Sequence, residues 1–159
     1  MKKSLLLVLV ICSLLFASCS LSTDVFEKDV QIPGQEWESS FKPQVKFELK
    51  AIDTASLYDI FLVLRHSDAY YFNNIWIQGS VQEPGDSAAK SERYDLTLAT
   101  NEKGWLGSGM DDIYEHRILI QPRTKFKRPG TYSFTIEQIM RQDPLKHVLN
   151  VGVRVEKAK

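Results

Sequence analysis

The sequence predicts an all-β fold: an antiparallel β-sandwich of about seven to eight strands in a single domain, with an up-and-down barrel as the alternative. Three observations lead there. Apolar residues recur with a period of two in most segments beyond residue 44. Clusters of Gly, Pro, Asn and Asp separate those segments. Only two short stretches, 138–141 and 144–149, could form helical turns, the second capped by Asp143 with Pro144 at its first position. The length of 159 residues suits one domain. A chain near this size buries roughly two-thirds of its unfolded surface, so it needs neither metal nor disulfide to fold.

The first element is not part of that domain. Lys2 and Lys3 precede a nearly unbroken apolar run over 5–16, and Ala17-Ser18-Cys19 follows. A run of about a dozen residues is too short to span a bilayer, which takes roughly twenty, but it fits the core of a signal peptide. Small residues directly before a Cys resemble the bacterial lipobox, in which the Cys thiol receives a diacylglyceryl group and becomes the new N-terminus. The expected organisation is a lipoprotein signal peptide over 1–18, a lipidated Cys19 and tether over 19–43, and the sandwich over 44–159. Cys12 leaves with the signal and Cys19 is consumed by lipid, so none of the two cysteines remains for a disulfide, a nucleophile or a thiolate metal site. Ser20 suits sorting to the outer membrane, and the lack of acids over 20–23 favours the periplasmic leaflet.

The strands follow in order. Val45, Phe47 and Leu49 alternate with Lys46, Glu48 and Lys50, the pattern of a strand with one wet face. Residues 60–64 are apolar on both faces and read as a central strand. Ile75, Ile77 and Val81 share a face, with Trp76 on the other. Tyr94, Leu96 and Leu98 alternate with polar residues, and 118–120 forms a short apolar run. Tyr132, Phe134 and Ile136, then Val151, Val153 and Val155, complete the set.

Chemistry is sparse. Lys plus Arg and Asp plus Glu both number 20, which argues against a nucleic-acid binder. Arg65-His66-Ser67-Asp68 contains base, nucleophile and acid types, but neighbours in an extended chain face opposite ways and form no relay, so it reads as a polar strand end. Residues 111–116 (Asp-Asp-Ile-Tyr-Glu-His) lack calcium-loop spacing and read as a solvated loop. His147 reads as a surface or packing residue. No nucleophile elbow, zinc-protease, Walker or dinucleotide element occurs. No cofactor, metal or small-molecule ligand is expected. Trp76 and Trp105, the latter within Gly104-Trp105-Leu106-Gly107-Ser108-Gly109, are candidate partner contacts together with Asp111 and Asp112.

The motif order resembles that of the gliding-motility lipoprotein GldH family of Bacteroidetes. The resemblance is carried by Leu64-Arg65-His66-Ser67-Asp68-Ala69-Tyr70-Tyr71-Phe72-Asn73-Asn74 and Lys103-Gly104-Trp105-Leu106-Gly107-Ser108-Gly109. It continues in Pro129-Gly130-Thr131-Tyr132-Ser133-Phe134-Thr135-Ile136-Glu137-Gln138, Met140-Arg141 and Val151-Gly152-Val153-Arg154-Val155-Glu156. It implies a non-enzymatic, outer-membrane-associated subunit of gliding machinery linked to type IX secretion, with other envelope proteins as partners. The rival reading is a carbohydrate-binding lipoprotein of a glycan-uptake system that stacks sugar on Trp76 and Trp105.

One covalent event is directly testable. Cys19→Ser is expected to abolish incorporation of radiolabelled palmitate and leave an unprocessed or soluble chain. Unchanged labelling would remove the lipobox assignment.

Overall fold

A computed structural model describes residues 25–159. The signal peptide and Cys19 lie outside the described residues. In chain order the strands are β1 (Val25–Gln31), β2 (Glu36–Trp37), β3 (Gln44–Leu49), β4 (Tyr58–Ser67), β5 (Asn74–Gln82), β6 (Lys90–Thr97) and β7 (Ala99–Thr100). They continue with β8 (Gly104–Trp105), β9 (Ser108–Met110), β10 (Ile113–Thr124), β11 (Gly130–Gln138), β12 (Leu145–Lys146) and β13 (Val148–Lys157). Two short 3₁₀ turns, Pro33–Gln35 and Ala51–Ala55, are the helical segments described.

The strands form a five-stranded sheet, β1-β13-β4-β10-β9, and a four-stranded sheet, β3-β11-β5-β6, both antiparallel. Two two-stranded ribbons, β12-β2 and β7-β8, complete the pairing. Neither large sheet closes on itself, so the architecture is a sandwich and the barrel alternative falls away. Period-two patterning decides which face is inside. β3 alternates exposed and buried through its length, and Val45, Phe47 and Leu49 face Tyr132, Phe134 and Ile136 of β11 on one wall of the core. Ile60, Leu62 and Leu64 of β4 supply the opposite wall with Val151, Val153 and Val155 of β13. β4 occupies the central position that its apolar run predicts.

Four expectations shift. Of the expected tether, 19–24 lie outside the described residues, whereas Val25–Gln31 pairs along its whole length with β13 from Val25↔Glu156 to Gln31↔Asn150. Ile32 and Trp37 are fully buried, so the domain begins well before residue 44. Their burial overrides the polar look of the surrounding residues. The run at 118–120 is the middle of a twelve-residue strand, β10, lengthened at both ends by pairing with β4. The second expected helix is replaced by β12 on β2: Leu145 pairs with Trp37, and the Asp143 carboxylate accepts hydrogen bonds from the Ser39 backbone N–H and hydroxyl instead of capping a helix. Residues 138–141 likewise finish β11 and then run on without helix, with Gln138 buried and donating to the Trp37 carbonyl.

β1 is held by two features on one face of the sheet, since Gly152 and Arg154 of β13 lie opposite Asp29 and Glu27. Gly152, opposite Asp29, leaves no room for a side chain: a Cβ there would lie 2.3 Å from the Lys28 carbonyl oxygen and 2.5 Å from the Asp29 Cα. On the outer face, Glu27 accepts from Arg117 at 2.9 and 3.0 Å and from Arg154 at 2.8 Å. Hydrogen bonding from Arg117, then from Arg154, brings the Glu27 carboxyl down to about 2, against the opposing effect of desolvation. Arg117 reaches β1 from β10 across β13 and β4, so this ion pair ties one edge of the sheet to the far side.

Gly152→Ala is therefore expected to cost about 1–3 kcal/mol in urea unfolding, the range for overpacking, and to raise amide exchange in Val25–Gln31 more than in β4. Unchanged exchange in β1 would show that the strand does not depend on this close approach.

Candidate functional site

The register gives the sandwich two ends. At the near end Val25, Tyr58, Thr124 and Lys157 lie close to one level, beside Leu49 and Gly130 of the other sheet. At the opposite, far end lie His66, Ile113, Asn74 and Thr97. The residues that sequence reasoning nominated gather at the far end, but not as one surface.

Trp105 is half-buried. Its ring centroid lies 4.4 Å from His66 and 5.7 Å from Tyr114, with Tyr70 at 6.3 Å. The surrounding glycines serve this packing. A Cβ on Gly107 would lie 2.6 Å from the Glu115 carbonyl oxygen and 2.9 Å from the His116 ring, and one on Gly109 would lie 2.9 Å from the Tyr114 ring. The glycine-rich segment thus lets a loop lie flat on two side chains of β10. Asp111 and Asp112 form the two-residue turn between β9 and β10; Asp111 takes φ 54°, which Asp tolerates better than most residues, and the Asp112 carbonyl accepts from the Asp68 N–H at 2.8 Å. Both side chains are exposed.

Beneath Trp105 lies a pair of histidines. His66 and His116 are 0% and 3% exposed, and their Nε2 atoms are 2.9 Å apart. His66 Nδ1 lies 2.7 Å from the Ser67 carbonyl oxygen, which can only accept, so the neutral His66 carries its proton on Nδ1. Its Nε2 then accepts from the Nε2–H of His116. The residues expected as a polar strand end and a solvated loop are thus the buried floor of the far end. Their phase was visible in the sequence: His66 continues the 60, 62, 64 series, and His116 continues the 118, 120 series backwards. Among the described residues no three His, Cys, Asp or Glu groups gather where they could hold a metal ion.

Desolvation lowers both imidazoles, His116 to about 4, where the neighbouring His66 adds to the effect. Protonation would also place a second N–H in the 2.9 Å gap.

Trp76 stands apart from this cluster, on the outer face of β5, and is 42% exposed. Its backbone is held on one side by Asp95 of β6 and on the other by the segment after β11: Ile139 N–H donates to the Trp76 carbonyl at 3.0 Å, and Met140 Sδ accepts from the Trp76 N–H. Beside it Ile139 is 37% exposed, and Tyr71, edge-on to Phe72, is 87% exposed. Phe72 separates two open clefts, one lined by Tyr71, Lys146 and His147, the other by Trp76, Met140 and Arg141. Tyr71, Phe72, Ile139 and Met140 were missed as contact candidates because each sits in a short irregular segment without periodicity. The adjacent aromatics Tyr70-Tyr71-Phe72 beside an Asn-Asn turn were the available signal.

A further hollow of about 280 Å³ opens between the edges of β6 and β10. Ile60, Leu62 and Tyr132 at its floor are each 1% exposed, so its accessible wall is made by Val81, Tyr94, Ile120 and Gln121 near the mouth. Gln121 donates to the Tyr94 hydroxyl at 3.1 Å and bridges the two sheet edges there.

The histidine pair generates a pH dependence. A histidine held below its unfolded value of about 6.5 stays neutral in the fold while the unfolded chain takes up protons, so stability is complete above 6.5 and falls as pH drops towards 4. The depressed carboxyl of Glu27 acts in a lower window, from about 4.5 towards 2. Urea unfolding is expected to lose roughly 3 kcal/mol between pH 7 and 4, and His116→Gln, which keeps an N–H donor towards His66, is expected to flatten that slope. Parallel slopes for the two proteins would contradict the neutral buried pair.

Comparison with known proteins follows this geometry closely in extent. The sequence profile of the GldH lipoprotein family matches residues 24–155, which begins at the first described strand and ends within the last. The chain is 30% identical over 153 residues to the "Gliding motility lipoprotein GldH homolog" of Christiangramia forsetii, covering 91% of this chain and 90% of that protein. It is 26% identical over 156 residues to "Gliding motility lipoprotein GldH" of Flavobacterium johnsoniae, covering 94% of each. Among solved structures, a carbohydrate-binding module specific for non-crystalline cellulose aligns with TM-score 0.45 and 12% identity over 84% of this chain and 73% of that one, a likeness too remote to bear on function. By the extent of the profile match and by its relatives, the chain belongs to the GldH lipoprotein family.

Proposed function

We propose that this lipid-anchored gliding-motility lipoprotein is a non-enzymatic accessory subunit of the type IX secretion-linked envelope machinery. In this reading it is fixed by lipid on Cys19 to the periplasmic leaflet of the outer membrane. The observation that carries the reading is a pair of open clefts at the far end that share Phe72, with exposed Tyr71 on one and exposed Trp76 and Ile139 on the other. Isolated exposed apolar residues need no explanation, but several around two such clefts on a rigid sheet end suit a protein surface. The open shape of the two clefts fits a protein partner better than an enclosed small molecule. Asp111 and Asp112, with exposed Met110 and Leu106, extend the same end along the β9–β10 turn. Trp105 supports this surface from beneath by packing on His66.

The mechanism is tethering plus recognition. Lipid confines the domain to a surface, which raises its effective concentration near a partner in that membrane without adding contacts. Partner affinity then needs only a modest aromatic patch.

Tyr71→Ala combined with Trp76→Ala is expected to reduce recovery of the envelope partner at least about tenfold, as loss of a central aromatic contact does. Recovery is read by crosslinking in intact cells and mass spectrometry. Both side chains are exposed, so unfolding stability should stay within about 0.5 kcal/mol. Unchanged recovery, or retention on polysaccharide gels that depends on these two residues, would contradict the proposal.

A further inference from the structure

We propose that the near end of the sandwich is a cationic face that docks on an anionic phospholipid surface. This rests on the reading that Cys19 carries the lipid, and it adds which way up the domain stands. Between Cys19 and Val25 the chain advances six residues, which span at most about 20 Å even when fully extended. Val25 pairs with Glu156 at the near end, so that end lies within this distance of the lipid headgroups.

The near end is chemically suited to them. The β10–β11 connection reads Arg123-Thr124-Lys125-Phe126-Lys127-Arg128. Phe126 is 4% exposed and plugs the end of the core against Tyr58, Phe47 and Tyr132, with ring centroids 5.3, 5.7 and 4.6 Å away. With Phe126 turned inward, its neighbours Lys125 and Lys127 are exposed. Lys50 at the end of β3 is exposed beside them, and Ile52, in the turn that follows, is 84% exposed.

Acids at this end are already engaged. Asp53 lies 3.6 Å from Lys157, Glu83 and Asp86 take Lys90 and Arg128, Glu156 takes Arg154, and Asp59 accepts from the Arg123 backbone N–H. Glu48 lies on the outer sheet face of β3. Among the described residues, no ion pair engages Lys50, Lys125 or Lys127. The full chain is formally neutral, so these three lysines are not part of a general basic surplus. Lysines close to an anionic leaflet attract it within a Debye length of about 10 Å. An apolar side chain at the same level can enter the interface, as Ile52 is placed to do.

The test uses the mature lipoprotein reconstituted through its own lipid into vesicles of phosphatidylcholine alone or mixed with phosphatidylglycerol. Flotation reports anchoring, and amide hydrogen exchange reports docking. Residues 50–55 and 123–129 are expected to exchange several-fold more slowly on the anionic vesicles, with the protection lost in high salt. The doubly reversed variant K125E/K127E should float equally well and lose the protection, whereas K103E, at the far end, should keep it. Equal exchange on both vesicle types, with flotation intact, would overturn the docked face and leave the anchor standing. Failure to float on either vesicle would remove the anchor and the docked face with it.

Discussion

Pairing of β1 with β13 is the constraint on which the rest depends. It turns the first described residues into the edge of the five-stranded sheet, and it does so only because Gly152 carries no side chain where the Asp29 backbone passes. The Glu27 ion pairs with Arg154 and Arg117 then fasten that edge to strands deeper in the sheet. Glu27 is exposed, and its two guanidinium partners come from strands one and three places further into the sheet. The result is mechanical: Val25–Gln31 is a fixed edge of the sandwich.

The two ends of the sandwich differ in chemistry. One end carries exposed lysines and Ile52 around a Phe126 plug; the other carries exposed aromatics around a buried His66–Trp105–His116 floor. A sandwich suits such a division because its sheets are stiff along the strands while its loops gather at either end. Rigidity at the far end comes from packing between rings and from Gly107 and Gly109, which allow the loop to lie on His116 and Tyr114. Loss of that floor would disturb the surface above it without removing a single exposed contact.

Much of the fold was legible because one face of each long strand is buried. β3 and most of β11 alternate, and Val151, Val153 and Val155 of β13 point inward as the sequence indicates. What escaped lies where tertiary pairing overrules local pattern. Val25–Gln31 holds charged residues at 27, 28 and 29, which suit a tether in isolation, yet the segment pairs along its length with β13, where Glu27 and Asp29 share the outer face. Asp143-Pro144 is a good helix start by composition, yet Ser39 claims the carboxylate. At the far end Trp76 was recognised as outward-facing, whereas Trp105 was read as a flexible loop residue because glycines flank it. Those glycines mark close approach to a neighbour, which a single sequence does not distinguish from freedom to move.

One distance tests the proposed orientation of the domain over its membrane. A fluorescent donor placed at position 125 or at position 103 of the reconstituted lipoprotein, with an acceptor dye at the bilayer surface, reports the height of each end. The account requires strong transfer from 125 and weak transfer from 103. Equal transfer from the two positions, or a reversed order, would show a domain that tumbles or stands the other way up.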